Sequence, residues 1–267
     1  MARAKPVPPG PLPRFSPWRF RWFTTYLRRY FARHFNAVRV ARDGRAPATS
    51  ARPLVVVSNH PSWWDPILFL LLHRAAFDGR PAYGPIDAEM LRKYRLFERL
   101  GAFGVEQGTR RGAARFLRVG RAILDAPGSV LWITAEGRFR DPRTRPVRFA
   151  AGLGHLLRSA NGVTVVPLAV EYPFWTERQP EVAVRFGAPM DVDRGDARTA
   201  ADWTDLLERH LEETLDRLAD DVSAREPARF DVLVRGRAGV GPVYDLWRRL
   251  RARLTGTTFE AAHLDRG

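Results

Sequence analysis

Short apolar runs alternate with longer amphipathic stretches through the middle of the chain. Five of the runs have the length and the β-branched content that predict buried strands. They are "PLVVV", "GAFGV", "SVLWIT", "VTVVPLAVEY" and "EVAVRF". Segments such as "GAARFLRVGRAIL" and "AAGLGHLLRSA" separate several of them and predict helices. The alternation predicts an α/β fold with a mostly parallel or mixed central sheet flanked by helices.

An N-terminal amphipathic helix is predicted by "WRFRWFTTYLRRYFARHFNAV". Its large apolar residues fall in a stripe that repeats about every four positions. They are Trp22, Phe23, Tyr26, Leu27, Tyr30, Phe31, Phe35 and Val38. Arginines occupy the other faces, a pattern typical of a helix in the plane of an anionic membrane. The alternative is a helix that docks on the core by its aromatic face, and both can hold. A further amphipathic helix is predicted from Asp202 to Val222.

These patterns divide the chain into four segments. Residues 1–17 are proline-rich and predicted to be disordered, and residues 18–45 are predicted to form the basic, amphipathic, membrane-associating helix. Residues 46–223 form the predicted main domain. Residues 224–267 are a basic extension, in which "YDLWRRLRARL" predicts a second surface helix.

Composition narrows the function. A chain of 267 residues suits one α/β domain with appendages. It has no cysteine, which excludes disulfides, thiolate metal sites and a cysteine nucleophile. The net charge of +15 favours nucleic acid, acidic lipid or a phosphorylated substrate as partner. The longest apolar run, Ile67–Leu72, falls short of the roughly 18 to 20 residues of a membrane span. We therefore expect no transmembrane span and no secretion.

The spacing H-x-x-x-x-D occurs twice. His60 directly follows a predicted strand, and Asp65 begins the next helix, where Asp65-Pro66 is typical of an N-cap and first helical position. Ligands bind at the carboxyl ends of such strands, and a carboxylate there can orient an imidazole. The alternative is a structural histidine. His73 and Asp78 lie at a helix end and are predicted to form a cap and a solvated turn.

A second cluster follows the predicted strand "SVLWIT". Glu136, Gly137, Arg138 and Arg140 stand together at its end. The glycine lets a backbone approach a ligand closely, and arginines bind phosphate or carboxylate. The alternative is a turn with an ordinary surface ion pair. Two polar clusters at strand ends in one α/β domain favour a functional site.

Four segments in order resemble the motifs of one enzyme family. "NHPSWWD", "GAFGVEQGTRRG", "AEGRFR" and "VVPLAV" span about residues 53–170. They resemble the glycerolipid acyltransferases of the lysophosphatidate acyltransferase type. The resemblance implies transfer of a fatty acyl group from acyl-CoA or acyl-carrier protein to a lysophospholipid hydroxyl, in phospholipid biosynthesis at the cytoplasmic side of a membrane. It implies His60 as general base, Asp65 as the residue that orients it, no covalent acyl-enzyme, no metal and no bound cofactor.

The resemblance also implies roles for further residues. Asn59 helps to place His60 or the thioester, Glu136 and Gly137 bind the acceptor head group, and Pro167 shapes a pocket. Trp63 and Trp64 either wall the site or face the bilayer, or they simply pack the helix start. The remaining substrate-binding candidates are Gly101, Phe103, Gln107, Arg110, Arg111, Arg138 and Arg140.

The sequence departs from the family where an acceptor phosphate would bind. Gln107 stands where the second motif usually ends in arginine, and Arg110 and Arg111 are the possible substitutes. In the third motif Ala135 replaces the usual proline, and Phe139 follows the arginine after the glycine. The acceptor therefore stays open between lysophosphatidate, another lysophospholipid, and a glycolipid or glycosylated terpenoid.

Three other functions compete with this interpretation. A nucleic-acid-binding protein would explain the arginines, but the aromatic residues form an amphipathic stripe and no known binding motif is present. We therefore expect no nucleic acid. A catalytically inactive scaffold of the same fold would keep only membrane binding. A metallohydrolase built on His60 and Asp65 lacks further histidines at ligand spacing.

Overall fold

A computed structural model describes residues 10–48, 51–193 and 195–236 of the protein. Within them, nine strands form one sheet that α-helices flank, which confirms the predicted α/β class. The strands are β1 (Ala37–Ala41), β2 (Leu54–Ser58), β3 (Ala82–Asp87), β4 (Ala102–Val105), β5 (Val130–Thr134), β6 (Val163–Glu171), β7 (Glu181–Phe186), β8 (Met190–Val192) and β9 (Phe230–Arg235). The helices are α1 (Pro17–His34), α2 (Asp65–Ala76), α3 (Ala88–Lys93), α4 (Arg110–Leu124), α5 (Gly152–Arg158) and α6 (Ala200–Ala224).

The sheet is mixed and has a parallel centre. The strand order is β4-β3-β5-β2-β6-β7-β1-β9, and β8 pairs with β6. Strands β4, β3, β5, β2 and β6 are parallel, whereas β7 and β8 run antiparallel to β6 and β9 runs antiparallel to β1. The carboxyl ends of five neighbouring strands therefore meet at one edge, with β2 between β5 and β6.

Helices cover both faces of the sheet, so the central strands are apolar on both sides. Val56 on β2 packs with Leu27 of α1 and Leu68 of α2 on one face. Its neighbours Val55 and Val57 belong to the core on the other face, where α4, α5 and α6 lie. A strand buried on both faces needs a continuous apolar sequence, and this is why "LVVV" shows no alternation.

Helix α1 docks on the core and also exposes aromatic rings. It buries Phe20, Leu27 and Phe31, with Thr24 on the same side. Trp18 and Trp22 are each 65% exposed, and Tyr26 is 49% exposed. The predicted stripe is thus split between a buried side and an exposed side. None of the helices in the described ranges has both the length and the hydropathy to span a membrane.

The predicted segment boundaries differ from the observed elements at both ends. The chain leaves α1 at His34 and forms β1, so residues 18–45 are not one helix. Strand β9 pairs with β1 within the sheet, so the domain extends past residue 223. Strands are placed by their pairing partners, which lie far away in sequence and leave little local signal. The predicted helix in "YDLWRRLRARL" lies outside the described residues.

The described part of the proline-rich N-terminus lies against the domain. Gly10 N donates a hydrogen bond to Arg118 O at 2.8 Å, and Phe15 forms an isolated bridge with Leu100. These contacts differ from the disorder predicted for residues 1–17. Residues 1–9 lie outside the described residues.

His73 is a buried structural histidine and not part of a solvated turn. It is 1% exposed, Trp132 Nε1 donates to its Nδ1 at 3.2 Å, and its Nε2 lies 3.0 Å from Arg80 O. These partners fix the neutral form, with the proton on Nε2. Asp78 pairs instead with Arg74 at 2.5 Å. Burial lowers the pKa of His73 from 6.5 to about 4.

We expect His73 to make the protein less stable in acid. Because its folded-state pKa lies below its ordinary value, the unfolded chain takes up the proton first as the pH falls. The stabilisation that this histidine gives is complete above pH 6.5 and declines down to about pH 4, by at most about 3 kcal/mol. Urea unfolding across this range should show a shallower pH dependence in His73→Gln than in wild type.

The matched control is His155→Gln, which changes an exposed histidine on α5. It should keep the wild-type pH dependence. Equal pH dependence in wild type and in His73→Gln would contradict the assignment.

Candidate functional site

His60 and Asp65 meet at the carboxyl end of the central strand β2. Ser58 ends this strand, and α2 begins at Asp65, so a short loop connects them. In this loop His60 Nδ1 lies 2.6 Å from Asp65 Oδ2. A carboxylate oxygen can only accept, so this contact holds a proton on Nδ1 and leaves Nε2 free to take one. The His60 side chain is 16% exposed and that of Asp65 is 0% exposed.

Asp65 accepts three hydrogen bonds from outside its own helix. Besides His60, Ser62 N donates to Oδ2 at 3.0 Å, and Tyr172 Oη donates to Oδ1 at 2.6 Å. The predicted role of Asp65 as an N-cap is wrong. Trp64 holds the cap position, and no side chain caps this helix. The carboxylate accepts a hydrogen bond from His60 and does not cap the first amides of α2.

Tyr172 is the site residue that sequence reasoning missed. It directly follows β6, the strand that pairs with β2. Its hydroxyl bonds Asp65, which begins the helix after β2. Burial and the neighbouring Asp65 charge raise the pKa of the Tyr172 phenol well above its usual value of 10.0. The hydroxyl therefore stays a donor. Its signal in the sequence is an aromatic residue with a polar tip at the end of an apolar strand.

Asn59 ties the His60 loop to β6. Its Nδ2 donates to Val170 O and its Oδ1 accepts from Val170 N, both at 2.9 Å. The side chain is buried and has its hydrogen bonds within the protein. Of its two expected roles, the structure favours placing His60 over contacting a thioester.

Glu136 and Arg140 hold the main chain of His60. Arg140 N donates to His60 O at 3.0 Å, and Arg140 Nη1 lies 3.5 Å from Glu136 Oε1. Burial raises the pKa of Glu136, while Arg140 and a hydrogen bond from the His60 main chain oppose this shift. The side chain of Glu136 is 5% exposed. Glu136, which was expected to bind the acceptor head group, and Arg140, a further substrate-binding candidate, thus have contacts that position the loop.

The turn after Glu136 brings Phe139 over the histidine. The Phe139 and His60 ring centroids lie 4.3 Å apart, and Phe139 is 59% exposed. Arg138 is exposed beside it. Gly137 has φ +68° with open space where a Cβ would lie, so its backbone conformation explains the glycine better than a close approach does.

The residues of the second motif divide between the core and a distant edge. Phe103 is buried in the core. Gly101 has φ +95°, and a Cβ there would lie 1.8 Å from Ala82 O, so both have structural roles. Gln107, Arg110 and Arg111 are exposed at the start of α4. β4 is separated from β2 by β3 and β5, which is about 14 Å at about 4.8 Å per strand.

Pro167 and the tryptophans occupy different surroundings. Pro167 lies within β6, where it pairs with Val57, and it is beside Gly187. Trp64 packs among aromatic residues at the C-terminal end of α1, with a ring 4.7 Å from that of Phe35. Trp63 is 56% exposed. The packing role therefore fits Trp64, and a surface role fits Trp63.

Two grooves lie away from His60. One of about 890 Å³ includes Pro53, Leu124 and Trp203 and opens at the amino end of β2, opposite the dyad. The other, of about 190 Å³, lies beside β9. No group of three or more His, Cys, Asp or Glu side chains within the described ranges is placed to hold a metal ion.

The chain is similar to known proteins in both sequence and fold. Residues 27–171 match the Acyltransferase family. The fold is similar to the crystal structure of the 1-acyl-sn-glycerophosphate (LPA) acyltransferase PlsC from Thermotoga maritima, with a TM-score of 0.52 and 17% sequence identity. The similarity covers 79% of this chain and 80% of that chain. No curated protein sequence matches the chain. The family match extends over more than half of the sequence and includes both His60 and Asp65. It confirms the resemblance seen in the motifs, and the protein therefore belongs to the Acyltransferase family.

Proposed function

We propose that the protein transfers a fatty acyl group from acyl-CoA or acyl-carrier protein to a hydroxyl of a lysophosphatidate-like acceptor, with His60 as general base. The observation that carries this proposal is the 2.6 Å contact between His60 Nδ1 and Asp65 Oδ2 at a strand end. It orients the imidazole and directs its basic character to Nε2. The similarity to PlsC supports the acceptor class.

In the proposed reaction the acceptor oxygen attacks the thioester directly, so the enzyme supplies a base and no nucleophile. Nε2 of His60 takes the proton of the acceptor hydroxyl while the oxygen attacks the thioester carbonyl. The tetrahedral intermediate then expels the thiolate, which takes the proton from the imidazolium. Asp65 stabilises the imidazolium between these two steps. The chain has no cysteine, in keeping with direct transfer.

A second acceptor class is favoured by Phe139. An exposed aromatic ring 4.3 Å from the imidazole gives the approach to His60 an apolar wall on the side where the family commonly has a polar residue. Gln107 likewise replaces the usual arginine. These two residues support an acceptor without a phosphate, such as a glycolipid or a glycosylated terpenoid. Arg110, Arg111 and Arg138 are exposed and support a phosphate.

The His60→Ala variant should lose acyl transfer. Removing a general base lowers the rate by about 10²- to 10⁴-fold. The measurement is the initial rate with labelled acyl-CoA, alongside circular dichroism to show that the variant is folded. The exposed histidine on α5 provides the control His155→Ala, which should keep the wild-type rate. Near-full activity in a folded His60→Ala would remove His60 as the base.

A panel of acceptors should separate the two acceptor classes. The panel holds lysophosphatidate, neutral lysolipids and a lipid extract of the source cells, each with acyl-CoA and with acyl-carrier protein. We expect transfer to lysophosphatidate, with a KM raised several-fold in Arg138→Ala. Transfer only to a component of the extract would favour the acceptor without phosphate. No transfer to any acceptor would favour the inactive scaffold.

We also propose that α1 holds the protein on the cytoplasmic side of an anionic membrane. Its exposed rings, Trp18, Trp22 and Tyr26, are typical of the bilayer interface, and arginines lie between them. Trp63 extends this aromatic surface to the loop of His60, because its neighbour Trp64 packs against α1. An acceptor in the bilayer would then lie close to the base.

Substitution of exposed rings tests membrane association without loss of the fold. Deletion of residues 1–40 is unsuitable, since it would remove Leu27, Phe31 and most of β1. We expect Trp18→Ser with Trp22→Ser to weaken binding to anionic liposomes at least tenfold. A loss of roughly 60 Å² of buried apolar surface per ring, at about 25 cal/mol per Å², corresponds to about 1.5 kcal/mol for each ring, or about tenfold in affinity for each. Liposome flotation measures the binding.

The control for this pair is Val232→Ser, which changes an exposed apolar residue on β9. It should leave liposome binding unchanged. Unchanged binding in the double tryptophan variant would limit α1 to a packing role.

A further inference from the structure

Tyr172 holds the oxygen of Asp65 that His60 does not use. Asp65 Oδ2 accepts from His60 Nδ1 and Ser62 N, and Tyr172 Oη donates to Oδ1 at 2.6 Å. Asp65 is 0% exposed, so water cannot take the place of a missing donor without a change in packing. A buried carboxylate oxygen without a partner is costly. The tyrosine hydroxyl thus both satisfies Oδ1 and fixes the rotation of the carboxylate.

The position of Tyr172 is itself held from two directions. Along the chain it follows β6, which pairs with β2 and receives both hydrogen bonds of Asn59 at Val170. Around its ring, Phe35 lies 5.8 Å away, and Phe35 in turn packs on Trp64. The hydroxyl therefore reaches Asp65 from a fixed frame, as a positioning group requires.

We propose that Tyr172 is a positioning residue for acyl transfer, which keeps Asp65 Oδ2 directed at His60 Nδ1 and so keeps Nε2 aimed at the acceptor. The inference rests on the proposed function, because it acts through the proposed base. The hydroxyl of Tyr172 contacts Asp65 and acts on His60 through that carboxylate. Two hydrogen bonds link Tyr172, at the end of β6, to Asp65 and Asp65 to His60. Glu136 and Arg140, on the loop after β5, hold the main chain of His60 from the other side.

Two substitutions separate the hydroxyl from the ring. Tyr172→Phe removes the donor and keeps the aromatic packing, whereas Tyr172→Leu removes both. Tyr83→Phe is the matched control, since Tyr83 is a buried tyrosine of the opposite core. All are compared with wild type and His60→Ala in full-length protein, with circular dichroism as the test of folding. The activity measurement separates kcat from KM for the acceptor.

We expect kcat in Tyr172→Phe to fall about tenfold with KM little changed, the size of one hydrogen bond to a charged group. Tyr83→Phe should keep the wild-type kcat. A second measurement is independent of turnover. The proton on His60 Nδ1 should give a downfield NMR resonance that is absent in His60→Ala, and it should shift and broaden in Tyr172→Phe, because Asp65 is no longer fixed.

The outcomes separate this inference from the proposed function. A folded Tyr172→Phe with wild-type kcat overturns the inference, as does a fall in kcat with an unchanged His60 resonance. If only Tyr172→Leu loses activity, Tyr172 packs and does not position. If His60→Ala is as active as wild type, the proposed function fails, whatever the Tyr172 variants do. A shifted and broadened resonance in Tyr172→Phe would then still establish that Tyr172 fixes the carboxylate that His60 contacts.

Discussion

A fully buried carboxylate is the constraint around which the end of the sheet is organised. Asp65 has no access to water, so the surrounding structure must supply its donors. One comes from the loop after β2, one from the main chain at Ser62 and one from the residue that follows β6. Three separate pieces of chain are therefore joined at one side chain. The orientation of the proposed base depends on these contacts, since the Asp65 carboxylate that orients the His60 imidazole is held by its other two donors.

The loop that carries His60 is held as firmly as the carboxylate. Asn59 bonds both backbone groups of Val170, and Arg140 N bonds the carbonyl of His60. Residues that the motifs suggested as ligands of the substrate, Asn59 and Glu136 among them, turn out to have their polar atoms engaged inside the protein. A motif residue can thus support a site by placing its neighbour, and a preorganised base costs no reorganisation when the reaction occurs.

Helix α1 lies between the surface proposed to bind the membrane and the site proposed to transfer the acyl group. Its buried side packs on α2 and the sheet, and its exposed side presents Trp18, Trp22 and Tyr26. The aromatic cluster at its C-terminal end includes Trp64 and Phe35, and Phe35 packs on Tyr172. The same element that is proposed to meet the membrane therefore contacts the frame of the proposed site. Docking on the core and the proposed membrane association do not exclude each other for this helix, because the buried side docks and the exposed side is the one proposed to meet the membrane.

The sequence by itself determined the α/β class, the five strands from "PLVVV" to "EVAVRF", the helices α2, α4 and α5 between them and the pair of His60 and Asp65, but not the short helix α3. Those features depend on local periodicity and on spacing within one loop. It could not locate β1, β3, β8 and β9, which form by pairing with strands elsewhere in the chain. It could not identify Tyr172, which is 107 residues from the carboxylate it bonds, or the burial of His73 against Trp132. Only the tertiary structure decided these, because hydrogen bonds and burial between distant segments depend on how strands are ordered in the sheet, and a local pattern carries no record of that order.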